Sequence, residues 1–252
     1  MLFPRPLAPS LVLLCFAAGC ATAAAPRATA PSAAPAPAAA KLPNDIHWAR
    51  NSAEHRAVFL QTYALATRRL EEIAPGLEAG TWAVGLDGDE TVIDNSQYQK
   101  ELAEAGQSYS KATWTAWVER RAAPPLPGAV AFLSRVQELG GKVAIVTNRD
   151  QSECAATQDD FRAQHIPFDI MLCKPPDTSE KEPRFQAIEN GTAAPPLPAL
   201  KIVLYLGDNI RDFPDLDQDI VSGDDAGFAD FGARFFILPN PMYGSWEKNP
   251  AN

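Results

Sequence analysis

Trp82-Ala83-Val84-Gly85-Leu86-Asp87-Gly88-Asp89-Glu90-Thr91 is the stretch that decides the fold. Its first five residues form an apolar run, and two carboxylates two residues apart follow. An unbroken run of this kind reads as a buried strand whose tip carries Asp87 and Asp89. A strand tip holds side chains rigidly, while its last carbonyls and the following amides stay accessible. That arrangement suits a carboxylate nucleophile with a second carboxylate beside it as acid/base, both next to Mg²⁺. It also suits a plain acidic turn, so the rest of the chain must decide.

Outward from this strand, four further runs read the same way: 142–146, 168–172, 201–206 and 234–238. They are mostly continuous rather than alternating, as strands flanked by helices on both faces are. Residues 128–139, 152–164 and 181–190 read as the intervening helices. Residues 45–75 read as one long helix with Phe59, Tyr63, Ala66, Leu70 and Ile73 on a single apolar stripe, ended by Pro75-Gly76. The stretch between the first two strands exceeds a simple crossover, so residues 95–126 are expected to form a cap with a helix near 110–121. The expectation is an α/β Rossmann-like three-layer sandwich. A parallel central sheet would carry the site at its carboxyl edge, with an inserted cap and an N-terminal helical extension.

Three more strand-edge segments bear on chemistry. Thr147-Asn148-Arg149 follows the second strand, where a hydroxyl and successive amides can cradle a phosphoryl group. Lys181 opens a helix from which an ammonium could offset charge at the same edge. Gly207-Asp208-Asn209-Ile210-Arg211-Asp212-Phe213 follows the fourth strand. It offers Asp208 as a hard oxygen ligand for Mg²⁺, and Asp212 to orient it or a metal-bound water.

The amino end has a different character. Residues 1–20 carry one charge, Arg5, then an apolar stretch and Ala17-Ala18-Gly19-Cys20. This matches a bacterial lipoprotein signal over 1–19, with Cys20 lipidated after cleavage; an ordinary signal cut near 23–25 is the alternative. Ala21 suits outer-membrane sorting, facing the periplasm or the cell surface of a Gram-negative bacterium. Residues 20–41 are rich in Ala, Pro and Thr and read as a tether, leaving 42–252 as the folded domain. The net charge is −9, and signal removal would take Arg5 and no acid with it. So acidic a chain is a poor partner for polymeric nucleic acid, and membrane contact is expected through the lipid anchor alone. Cys154 and Cys173 are either buried free thiols or, in an oxidising compartment, a disulfide.

Taken together, these segments resemble the haloacid-dehalogenase superfamily. More specifically, the motif at 87–96, Trp48 with Ser52-Ala53-Glu54, Thr113-Trp114-Thr115-Ala116-Trp117-Val118, Gly207-Asp208-Asn209 with Asp212-Phe213, and 238–246 are similar to the class C bacterial acid phosphatases. These are the lipoprotein e family of acid phosphatases and 5′-nucleotidases, and the similarity runs from about 45 to 247. Gly88 departs from the usual aliphatic residue and is expected to be tolerated, with a looser loop. Plant relatives that have lost the nucleophile are storage proteins; Asp87 is present here.

The resemblance implies that Asp87 attacks phosphorus and forms an aspartyl-phosphate, while Asp89 is general acid and then base. It implies Mg²⁺ on the Asp87 carboxylate, the Asp89 carbonyl and Asp208 with Asp212 nearby, and a phosphoryl group on Thr147, Asn148 and Lys181. Trp114 and Tyr243 match positions near the substrate, where two aromatic faces could sandwich a nucleobase worth about 1–3 kcal/mol. Trp117 reads as cap core, and His47, His55 and His165 as non-catalytic. The strand order places Cys154 and Cys173 at one sheet edge, where a disulfide is feasible.

The expected function is a Mg²⁺-dependent phosphomonoesterase acting on nucleoside monophosphates outside the cytoplasm. A broad acid phosphatase and a non-catalytic surface lipoprotein are the competing readings. Relatives often form homodimers, though no self-complementary patch stands out in this sequence.

Overall fold

The structure is a computed structural model that describes residues 41–193 and 197–250. The expected signal and tether, Cys20 included, lie almost wholly outside the described residues. Five parallel strands form one sheet: β1 (Trp82–Leu86), β2 (Lys142–Asp150), β3 (Ile170–Lys174), β4 (Lys201–Gly207) and β5 (Phe235–Ile237). Their order is β3-β2-β1-β4-β5, which centres the strand that carries Asp87. All five residues of β1 are buried, as its continuous apolar run requires.

Alternation along the strands sorts the core into two layers. Trp82, Val84, Leu86, Val143, Ile145, Leu204 and Leu206 join one cluster, with Phe59, Tyr63, Phe132, Leu133 and Phe161 from the helices that cover that face. Ala83, Ala144, Val146, Ile202, Tyr205 and Phe235 join the other, with Phe185 and Ile188. The first face is covered by α2 (Ala53–Ile73), α5 (Ala129–Glu138) and α6 (Cys154–Ala163), and the second by α7 (Glu182–Glu189). This is the expected three-layer sandwich.

One local expectation is corrected. Residues 45–75 are two helices, α1 (Asn44–Asn51) and α2, followed by a 3-10 turn at Ala74–Gly76. Ser52 separates them with extended backbone, its hydroxyl accepting from the His55 amide at 3.0 Å. A serine that caps one helix ends the preceding one, and the apolar stripe alone does not register that break. In the 95–126 segment the expected helix is α4 (Lys111–Val118), and a further helix, α3 (Ser96–Ala105), precedes it. Gly106 ends α3 at φ 62°, and Ser110 caps α4 by accepting from the Thr113 amide.

β2 runs four residues past the expected 142–146, because Asp150 pairs with Lys174 after a register shift. The β3 strand accordingly begins and ends two residues later than 168–172, and Cys173 lies within it. Cys173 is bonded to Cys154 at the start of α6, with Cα atoms 5.8 Å apart. The disulfide reading therefore holds. Among the described residues, no helix is long and apolar enough to cross a membrane.

Candidate active site

Asp87 leaves β1 with its amide donating to the Leu206 carbonyl of β4 at 3.0 Å. That bond sets it beside the end of β4, where Asp208 follows Gly207. Asn209 caps the short turn Ile210–Asp212, and its amide donates to Asp212 Oδ2 at 2.9 Å. The turn folds Asp212 back over Gly207 so closely that a Cβ there would fall 2.3 Å from Asp212 Cβ. Carboxylate oxygens of Asp87, Asp208 and Asp212 consequently lie within 4.8 Å of one another. Asn240 donates to Asp208 Oδ2 at 2.8 Å, and the Thr91 hydroxyl donates to Oδ1 at 3.3 Å.

Lys181, the residue before α7, projects a buried ammonium into this group. It pairs with Asp87 and, at 2.7 Å, with Asp212. Burial works against the charge on Lys181, but Asp212 and Asp87 outweigh it and hold its pKa above the ordinary value. Burial lifts Asp87 to about 6, with Lys181 opposing and Asp212 and Asp89 adding to the rise. Asp208 is pushed well above the usual carboxylate range by burial, then by Asp212 and Asp87. Three carboxylates thus share one ammonium, and negative charge is in excess. An all-oxygen donor set with surplus negative charge fits a hard divalent cation.

The Asp89 side chain is not part of that group. Its Oδ1 pairs with Arg149 at 2.8 Å and accepts from Asn95 Nδ2 at 2.8 Å. Its expected metal contact ran through the backbone carbonyl, so the two are compatible. Arg149 ends the Thr147-Asn148-Arg149 segment, yet its charge is buried rather than turned to solvent.

Asn148 is exposed on the cleft, whereas Thr147 is wholly buried and does not line it; its hydroxyl accepts from the Arg149 amide at 3.1 Å. Arg184, in the first turn of α7, donates to the Thr147 carbonyl at 2.5 Å and to Asn148 Oδ1 at 2.6 Å. Arg184 thereby ties the Thr147-Asn148 loop to the helix that Lys181 opens. Gly88 does not loosen the motif loop. Its carbonyl accepts from the Val92 and Ile93 amides at 2.8 and 3.0 Å, and a Cβ there would make ordinary contact with Thr147 at 3.4 Å.

Above these groups opens a cleft of about 730 Å³ bordered by Asp87, Asp89, Lys181 and Asp208 and by Trp114, Tyr109 and Tyr243. Trp114 is half-buried, edge-on to Tyr98 at 5.2 Å. Trp117 is buried, and its indole N–H donates to Asn95 Oδ1 at 2.7 Å, as cap core should. Tyr243 borders the cleft with a buried hydroxyl that has no partner among the described residues. The three histidines do not line this cleft. Cap helix α4 is latched by Lys111 and Thr115, which donate to Glu153 Oε1 at 2.5 and 2.7 Å, immediately before the disulfide-bonded Cys154.

Sequence reading assigned no role to Arg149, Arg184, Asn95 or Asn240. The one available signal was a charged residue closing an apolar strand segment, at Arg149.

A family model for the HAD superfamily, subfamily IIIB (acid phosphatase), matches residues 13–246. The class C acid phosphatase from Bacillus anthracis is similar at 29% identity, covering 81% of this chain and 85% of its own, with a TM-score of 0.72. The tungstate-bound form of that enzyme gives 30% identity, the same coverage and a TM-score of 0.72. The stem 28 kDa glycoprotein of Glycine max is 24% identical over 200 residues, 79% of this chain and 71% of the glycoprotein.

Proposed function

Because this chain belongs to the HAD-superfamily subfamily IIIB acid phosphatases and is a phosphomonoester hydrolase, we propose that its substrates are nucleoside monophosphates and its metal is Mg²⁺. The observation that carries this reading is a cluster of Asp87, Asp208, Asp212 and Lys181 in one cleft with the aromatic rings of Trp114 and Tyr243. Charged groups at one end of the cleft suit a phosphoryl dianion, and aromatic faces suit a base.

In this mechanism Asp87 attacks phosphorus in line, and the bond to the leaving oxygen breaks to give an aspartyl-phosphate. Asp89 protonates the departing alcohol, then takes a proton from the water that hydrolyses the intermediate. Lys181 offsets charge on Asp87 and on the phosphoryl oxygens, and Asn148 contributes a side-chain amide at the cleft. Mg²⁺, held by Asp87, the Asp89 carbonyl and Asp208 with Asp212 beside them, would supply further neutralisation of a dianion in an acidic protein. The tungstate complex of the Bacillus anthracis relative supports an oxyanion as the bound group. The protein is proposed to work outside the cytoplasm, attached through a lipid on Cys20.

The decisive assay is phosphate release from 5′-AMP, 3′-AMP and p-nitrophenyl phosphate, with Mg²⁺ and with EDTA, beside Asp87→Asn. Release should need the metal, vanish in the variant and be fastest from a nucleotide. A preference for the aryl ester over both nucleotides would instead favour a broad acid phosphatase.

A further inference from the structure

Arg149 is only 2% exposed, although it carries a permanent charge. Its Nε lies 2.9 Å from Asp89 Oδ1 and 3.2 Å from Oδ2, and its Nη2 lies 2.8 Å from Oδ1. Asn95 Nδ2 adds a bond of 2.8 Å to the same Oδ1. The donors therefore crowd one oxygen. Oδ1 takes the short bonds, and Oδ2 keeps a single longer one on a side chain that borders the cleft.

The guanidinium is itself held from two sides. Nη1 donates to the Thr157 hydroxyl at 3.3 Å, and that hydroxyl donates to the Glu153 carbonyl at 2.9 Å. Nη2 donates to Asn95 Oδ1 at 3.1 Å, an oxygen that also receives the Trp117 indole N–H at 2.7 Å. The guanidinium carbon lies 5.3 Å from the centre of the Trp114 ring. One buried group thus contacts the acid/base carboxylate, the α6 face and the cap.

We infer that Arg149 is a positioning residue for Asp89: with Asn95 it saturates Oδ1, so that Oδ2 is the oxygen presented to the leaving group. The inference rests on the reading of Asp89 as acid/base. In the first step the bond from the Asp87 carboxylate to phosphorus forms, the bond from phosphorus to the ester oxygen breaks, and the proton on Asp89 Oδ2 passes to that departing oxygen. In the second, a water oxygen bonds to phosphorus, the Asp87–phosphorus bond breaks, and Oδ2 takes the water proton back. Without the clamp, the carboxylate would rotate and offer the proton in many directions, most of them unproductive.

A leaving group that departs unaided does not need this proton, and that supplies the test. Wild type, Arg149→Met, Arg149→Lys and Thr157→Val are assayed on glycerol phosphate, whose alkoxide needs protonation, and on p-nitrophenyl phosphate, whose phenolate does not. The quantity read is the ratio of the two kcat/KM values. It reports only steps up to the aspartyl-phosphate, and it is independent of how much of each preparation is folded.

Arg149→Met should lower kcat/KM for glycerol phosphate by about 100-fold, the low end for general acid catalysis, and for the aryl ester by less than about 5-fold. Arg149→Lys, a point charge in place of a fork, should fall between. Thr157→Val should shift the ratio in the same direction by a smaller factor. Equal losses on both esters would mean that Arg149 supports the fold or binds the phosphoryl group, and would overturn the proposal. Should Arg149→Met not fold, an unchanged ratio in the other two variants would do the same. Failure of wild type to hydrolyse either ester would refute the underlying mechanism instead, a distinct outcome.

Discussion

Two tryptophans three residues apart on α4 meet different fates, and side-chain partners explain why. Trp117 is sealed, with its N–H spent on Asn95, whereas Trp114 keeps part of a ring on the cleft. Trp114→Ala is therefore expected to raise KM for 5′-AMP by about 10-fold, in line with the worth of stacking one base, and to leave p-nitrophenyl phosphate much less affected. Steady-state kinetics on both substrates decides it, and equal effects would rule stacking out. At this scale the sequence exposed the residues that face the cleft from strand ends, Asp87, Asp89, Asn148 and Asp208, and Lys181 at the start of a helix. It hid Arg149 and Arg184. Their partners lie 60 and 36 residues away, at Asp89 and Asn148, and a buried guanidinium has the same local pattern as a solvated one. Thr147 shows the converse limit. Its place after a strand was readable, but the capture of its hydroxyl by the Arg149 amide was not.

Elements were legible wherever apolar period and length agreed, as in the continuous β1 and β4 runs. They were misjudged where a cap or a pairing decided the boundary. Ser52 splits a helix whose apolar stripe continues through Phe59, Tyr63, Ala66 and Leu70, and Asp150 prolongs β2 only because Lys174 lies opposite. The disulfide acts at this scale too. It ties the start of α6 to β3, beside Glu153, which holds Lys111 and Thr115 of the cap. Replacing both cysteines by serine should lower stability by about 3 kcal/mol through the freed unfolded chain, read as a lower urea midpoint with a somewhat steeper slope as the denatured chain expands. The same loss should follow reduction of the wild-type protein. An unchanged midpoint would show that packing of Phe161 and Ile166 already holds α6 in place.

For the whole molecule, an acidic chain receives an anionic ester, so the attraction must be local. Lys181 and a cation that the aspartate cluster could hold would supply it, rather than the overall field. The proposed attachment belongs to the same scale. Cys20→Ser is expected to move phosphatase activity from the membrane to the soluble fraction, with kcat/KM per molecule unchanged; activity that still sediments with membranes would contradict a lipid anchor at that residue. The N-terminal extension proves to be more than packing, since Pro43 and Ile46 border the cleft. At the other end of the domain, Ser245 and Glu247 border it as well. A reporter or affinity handle inserted directly beside either segment would therefore crowd the cleft. The exposed stretch 222–230, none of which borders the cleft, is the better place to graft one.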